Sequence, residues 1–324
     1  MSLAHWTDPR VAAEAQTWMR KAASAHGRGL TGAIERSHVR PWSVIYRAPT
    51  ATSAVYLKVC HRVQAHEPAL TELLAGEFPS LVPELIARHP TEPWMLLGDG
   101  GVKLREALAG QPLLDMWVGL LPRYAELQRR LAGREADLRA LGVPDRRLEH
   151  LAQLLRPILD DDGSAPADVR ARARVLLPTI DGSCAELATC GIGPSLDHSD
   201  LHYNNVLVRD GRPAIFDWGD AGVTHPFLSL TVTLEFAATA TGLTVDAPAI
   251  RRLREAYLEP WTALATRRTL ERAADTGLAL GTIPGVLTWY RIATEIDGVL
   301  AQSPGEMAAM LGRVCAAVER LRAS

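Results

Sequence analysis

Cysteine is scarce in this 324-residue chain, occurring only at Cys60, Cys184, Cys190 and Cys315, and no two of these form a Cys-x-x-Cys pair. Neither a zinc ribbon nor a disulfide-framed secreted scaffold is compatible with that spacing, and a reducing, intracellular location is expected. Charge of one sign is lacking too: 35 Lys and Arg stand against 37 Asp and Glu, a formal charge of −2. Non-specific binding to nucleic acid or to a membrane surface needs clustered positive charge, so neither partner is expected. No run approaches the length of about 18 apolar residues that a membrane span requires. The first ten residues lack the basic, apolar, small-residue succession of a secretory leader, which points to the cytoplasm. Internal repeats and low-complexity tracts are missing as well.

What remains is ordinary globular composition, 47% hydrophobic and 22% charged, in a chain long enough for two domains at roughly 150 residues each. Thr7 or Asp8 can cap a first helix in which Pro9 suits an early position and Val11, Ala15, Trp18 and Met19 recur at helical spacing up to Gly27. Between Leu30 and Cys60 the texture turns to β-prone runs around Ile34, Val44–Tyr46 and Val55–Val59, which read as three antiparallel strands. Glu67–Gly76 predicts a short helix, and Trp94–Leu97 a strand ending in the turn Gly98-Asp99-Gly100-Gly101. Helices are then expected over Leu113–Leu131, Asp145–Leu159 and Val169–Thr189. Four or five more should close the chain, punctuated by Gly242, Pro260, Gly277, Pro284 and Pro304. The fold class is therefore α+β, with a small β-rich lobe and leading helix over residues 1–98 and a helical lobe over 99–324.

Chemistry concentrates in His198-Ser199-Asp200-Leu201-His202-Tyr203-Asn204-Asn205, followed by two apolar runs and then Asp217-Trp218-Gly219. The apolar runs flank Asp210-Gly211, a strong hairpin signal. Such a hairpin carries the loop before its first strand towards the end of its second, gathering Asp200, Asn205 and Asp217. Convergent Asp and Asn oxygens suit a hard Mg²⁺ ion whose remaining positions are filled by phosphate and water. A further Asp can orient a hydroxyl and take its proton, so the set fits phosphoryl transfer. His198 and His202 could instead belong to a transition-metal cluster, but no other His or Cys has ligand spacing. Hydrogen-bonded scaffolding of the loop is the expected role for both.

HSDLHYNNVL followed by IFDWGDA resembles the aminoglycoside phosphotransferase and choline kinase family, with its H-G-D-L-H-x-x-N-[IVL] and I-D-W signatures. The resemblance implies a protein-kinase-like, two-lobed fold. It implies transfer of the γ-phosphate of ATP or GTP to a small-molecule hydroxyl, with Asp200 as catalytic base and Asn205 and Asp217 as Mg²⁺ ligands. Ser199 stands where that family usually has Gly, and Ser229 where an Asp is frequent. On the nucleotide side, Lys58 is a lone cation in an apolar strand and would reach the α- and β-phosphates. Its partner would be Glu67 or Glu72, with Glu67 preferred. No glycine-rich phosphate loop occupies the first hairpin; Arg40-Pro41-Trp42-Ser43 does, making Ser43 a phosphate-contact candidate. Leu97 and Asp99 lie where backbone groups would recognise the base. Glu235, Trp261, Trp289, Tyr290, Arg291, Glu295 and Asp297 are candidates for the acceptor side. Two rival classes are a protein kinase, against which no Ala-Pro-Glu triplet follows Asp217, and a nucleotide-binding regulatory pseudokinase, which would have no need of Asp200. Neither the acceptor nor the oligomeric state is set by the sequence.

Overall fold

The computed structural model describes residues 8–303 and 305–323; Thr7 and Pro304 lie outside the described residues. In chain order the principal elements are α1 (Pro9–Ala25), β1 (Glu35–Arg40), β2 (Ser43–Pro49), β3 (Ala54–Cys60), α2 (Glu67–Glu77), β4 (Leu85–Arg88), β5 (Trp94–Gly98), α3 (Gly110–Leu131), α4 (Leu148–Asp160), α5 (Ala167–Ala188), β6 (Ser195–Asp197), β7 (Val206–Arg209), β8 (Arg212–Ile215), β9 (Gly222–Thr224), α6 (Leu230–Thr241), α7 (Pro248–Leu258), α8 (Arg267–Leu280), α9 (Ile283–Glu295) and α10 (Glu306–Ala323). They fall into two compact units. One comprises residues 8–101, 207–219 and 291–303, the other 102–206, 220–290 and 305–323.

The first unit is built on a five-stranded antiparallel sheet of order β1-β2-β3-β5-β4. Period-2 alternation turns Val44, Tyr46 and Ala48 of β2, Val55, Leu57 and Val59 of β3, and Trp94 and Leu96 of β5 to one face. There they meet Ala15, Met19, Ala22 and Ala23 of α1 in a buried cluster. Asp8 starts α1 by accepting the Arg10 N–H at 2.8 Å, with Pro9 at the first turn, as a helix entry of this kind requires. The opposite face of β3 carries Lys58, whose cross-strand neighbours are Ile45 and Met95. The alternation that buries Leu57 thus fixes where the cation points.

The hairpin β7–β8 turns on Asp210 (φ 51°) and Gly211 (φ 73°), the paired positive φ of a type I′ turn. It packs within this unit: Ile215 N–H donates to Leu81 O at 2.7 Å, and Arg209 Nη1 to Asp99 O at 2.7 Å. Gly101 makes that approach possible. It has φ 93°, and a Cβ there would lie 2.1 Å from Val208 O.

In the second unit α3 packs on α7, α4 on α5, and α10 on α5 and α8, while β6 and β9 form a two-stranded antiparallel ladder. The helix expected from Asp145 begins at Leu148 instead. The Asp145 carboxylate is taken by the Arg147 backbone N–H and guanidinium, and its backbone bridges to Val223. Gly277 does not stop a helix but sits inside α8, where a Cβ would come within 2.8 Å of Phe227 Cβ. Close packing, not chain reversal, explains it. Six α-helical segments rather than four or five follow β9 among the described residues. Strand β4 was not anticipated; it is four residues long with a bulge between Leu85 and Ala87, too short and irregular for a period-2 signal.

Candidate active site

Within the first unit, Lys58 is 6% exposed and Glu67 is fully buried. Lys58 Nζ donates to Glu67 Oε1 at 2.6 Å and to Asp217 Oδ1 at 2.5 Å. Glu67 opens α2, so its carboxylate also lies at the favourable end of a helix dipole. Cys60, two residues after Lys58 on the same sheet face, donates its thiol to Glu67 Oε2 at 3.3 Å. Burial opposes the ammonium, yet the adjacent Asp217 and Glu67 carboxylates override it and hold the Lys58 pKa well above the ordinary lysine value. Burial raises the pKa of Glu67, partly offset by Lys58, and burial beside Glu67 keeps Cys60 a thiol. The other possible partner, Glu72, is exposed and pairs with Arg88 at 2.8 Å, leaving Glu67 as the residue on Lys58.

Asp217 adopts φ 66°, a left-handed conformation that costs a non-glycine residue roughly 1–2 kcal/mol. The strain sits at the acidic residue of Asp217-Trp218-Gly219, whose side chain remains 39% exposed. Ser43 is buried at the start of β2, directly after the two-residue Pro41-Trp42 turn and paired with Arg40 and Cys60. Leu97 lies in β5 opposite Tyr56. Asp99 spends its carboxylate on Ser53 Oγ at 3.1 Å and the Gly101 N–H at 2.9 Å. These bonds brace the turn after β5.

Within the second unit, the loop 198–205 is held from beneath by a buried polar network. The Asp197 carboxylate accepts the Ser199 N–H at 2.9 Å, Ser199 Oγ at 3.0 Å and the Ser229 hydroxyl. Tyr124 Oη bonds Ser229 Oγ at 2.9 Å and accepts the His198 N–H at 3.0 Å. Gln128 joins both hydroxyls and caps Leu196 O. Ser199 has φ 62°, a left-handed conformation that glycine would adopt without strain. Its hydroxyl compensates by bonding Asp197 and accepting Arg146 Nη1 at 3.3 Å. Arg146, 3% exposed, also donates to Asp220 O at 3.0 Å and Thr288 Oγ1 at 2.6 Å. The hydroxyl at 229 thus contacts a carboxylate supplied by position 197.

At the rim of this network Asp200 keeps its side chain 38% exposed. Asn205 Nδ2 donates to Asp200 O at 2.8 Å and Asp200 Oδ2 at 2.9 Å. Both amide hydrogens are thereby used, so Oδ1 of Asn205 is the atom available to a cation. An amide oxygen and a carboxylate suit hard Mg²⁺. Among the described residues no three His, Cys, Asp or Glu side chains are grouped to hold a metal. Both histidines hydrogen-bond within the loop: His198 Nδ1 accepts the Asp200 N–H at 3.3 Å and His202 Nδ1 the Asn204 N–H at 3.1 Å.

A family model described as a phosphotransferase enzyme family matches residues 57–271, well over half of the chain. The chain belongs to this family. Several solved structures share its fold across nearly the whole length. Choline kinase from Streptococcus pneumoniae aligns with TM-score 0.62 and 13% identity, over 95% of this chain and 99% of that one. Macrolide 2′-phosphotransferase from Brachybacterium faecium gives 0.57 and 18%, over 92% and 97%. APH(2")-IIia, solved with GDP and kanamycin, gives 0.56 and 14%, over 95% and 98%. No curated protein matches the sequence. The protein-kinase-like fold, with a small antiparallel sheet and a larger helical part, is thus established, and the chain is a phosphotransferase.

Trp261 is withdrawn from the acceptor candidates: it is fully buried against Phe227 and Tyr257. Tyr290 donates to Asp161 at 3.1 Å. Asp197, Arg146 and Tyr124 escaped sequence reasoning because they are scattered along the chain and carry no spacing signal.

Proposed function

We propose that this family member is a small-molecule kinase that uses Mg²⁺ and ATP or GTP to phosphorylate a hydroxyl group of a small metabolite or antibiotic. The observation that carries the reading is the buried Lys58 ammonium bracketed by Glu67 and Asp217, residues far apart in sequence. A buried cation kept charged by two carboxylates is costly for stability alone, and suits a group that must meet phosphate oxygens. Lys58, positioned by Glu67, takes the α- and β-phosphates, and Ser43 and the backbone at Leu97 and Asp99 complete nucleotide binding. Asn205 and Asp217 are the residues that would serve as Mg²⁺ ligands, and the ion when bound would neutralise charge on the phosphate oxygens. Asp200 orients the acceptor hydroxyl and takes its proton as in-line transfer proceeds. GTP stands beside ATP because one solved relative carries GDP. Four buried, unpaired thiols support a reducing, cytoplasmic setting.

The test is a coupled assay of ADP or GDP release with Mg·ATP and Mg·GTP. The panel covers sugars, amino sugars, aminoglycosides, macrolides, choline-like alcohols and nucleosides. At least one hydroxyl acceptor should stimulate release strongly. Tight nucleotide binding with no stimulation by any class would favour the regulatory alternative.

A further inference from the structure

The two oxygens of the Asp200 carboxylate have unequal surroundings. Oδ2 accepts Asn205 Nδ2 at 2.9 Å and lies 3.4 Å from His202 Nε2. The other ring nitrogen of His202, Nδ1, already accepts the Asn204 N–H. Its lone pair is therefore occupied, which leaves the ring hydrogen to Nε2, the nitrogen nearer Asp200. The ring cannot swing away freely. It stacks on Phe236 of α6 with centroids 4.4 Å apart and planes at 19°, and Phe236 is in turn edge-on to Tyr203 at 5.6 Å. Among the described residues nothing hydrogen-bonds Oδ1 of Asp200.

A carboxylate turns easily about its terminal torsion, so an unrestrained aspartate offers its oxygens interchangeably. We propose that His202, seated on Phe236, is a positioning residue: with Asn205 it pins Oδ2 of Asp200, so that Oδ1 is the atom that receives the acceptor hydroxyl. The proposal rests on the phosphotransferase reading above, and adds to it which oxygen reacts and what holds it. Displacing a reacting group by an ångström can cost about 100-fold in rate, which sets the expected scale.

The experiment uses full-length protein with Mg·ATP and water as acceptor, read as phosphate release, and Mg·ADP affinity by calorimetry. His202→Ala should lower kcat roughly 10- to 100-fold while leaving Mg·ADP affinity within about twofold of wild type. His202→Gln, whose amide can reach the place of Nε2 as a donor, should recover most of the loss. Phe236→Leu, which removes the platform but not the donor, should fall between them. Nitrogen-15 spectra of histidine-labelled protein, assigned through the signal missing in His202→Gln, should show a ring protonated at Nε2. A His202 protonated at Nδ1, a Gln variant no better than Ala, or an Ala variant that loses affinity and turnover together would overturn the proposal. Asp200→Ala separates the two levels. If it turns over like wild type, the function itself is misassigned. If it is inactive while His202→Ala matches wild type, only the positioning role fails.

Discussion

Replacing Lys58 by Met removes the cation bonded to Glu67, whose side chain has no exposed surface. Leaving a buried charge without its partner typically costs about 3–5 kcal/mol. Asp217 loses the same contact, but 39% of its side chain is exposed to water, so the penalty falls on Glu67. Burial already raises the pKa of Glu67 against the pull of Lys58, and without the ammonium that pKa must climb further. An acid whose folded-state pKa exceeds its unfolded value supports the fold below the unfolded value. That support is lost as pH rises through the folded value. Lys58→Met should therefore lie closest to wild type near pH 5 and furthest from it near pH 8. At about 3 °C per kcal/mol for units of this size, the deficit at pH 8 is roughly 10 °C in Tm. Adding Glu67→Gln to the same protein removes the stranded charge and leaves an amide of equal shape to meet the Cys60 thiol. The double variant should recover at least half the deficit at pH 8 and gain little at pH 5. Thermal melts of the three proteins at both pH values decide it. Equal destabilisation of Lys58→Met at both pH values, with no rescue by Glu67→Gln, would refute the view that Glu67 is ionised chiefly because Lys58 is there.

Asp217→Ala is expected to abolish the magnesium dependence of nucleotide binding, seen as calorimetric affinities that no longer change between Mg²⁺ and EDTA. Ser199→Ala and Ser199→Gly both delete the hydroxyl that bonds Asp197, but only alanine retains the strain of φ 62°. The glycine variant should be the more stable by about 1 kcal/mol, and equal denaturation midpoints would contradict the backbone account. Tyr124→Phe removes the acceptor for the buried His198 N–H and the partner of Ser229. A loss of about 1–3 kcal/mol in urea unfolding is expected.

The parts of the site legible in the sequence are those that local rules place. Asp210-Gly211 announces a hairpin because only paired positive φ values close it. Asp200 and Asn205 lie in one loop, so their spacing alone brings amide and carboxylate together. Lys58 shows itself as a charge in an apolar strand, and period-2 alternation puts it on the face that Cys60 shares. What stayed hidden depends on long-range packing. The carboxylate under the loop comes from Asp197, bonded by Ser229, which in turn meets Tyr124 and Gln128 from an element far away in the chain. Arg146 braces Ser199 and the Asp220 carbonyl from a loop with no motif. Gly277 looked like a helix stop because a glycine's packing partner, here Phe227, cannot be read from its neighbours, and Trp261 looked available for the same reason.

The most direct test compares wild type with Asp200→Ala for phosphoryl transfer from Mg·ATP or Mg·GTP to an acceptor found by the screen, alongside Mg·ADP affinity by calorimetry. Turnover should fall by about 10²- to 10⁴-fold, the span that a lost general base commands, with affinity unchanged within about twofold. Undiminished turnover in Asp200→Ala would contradict the account at its centre.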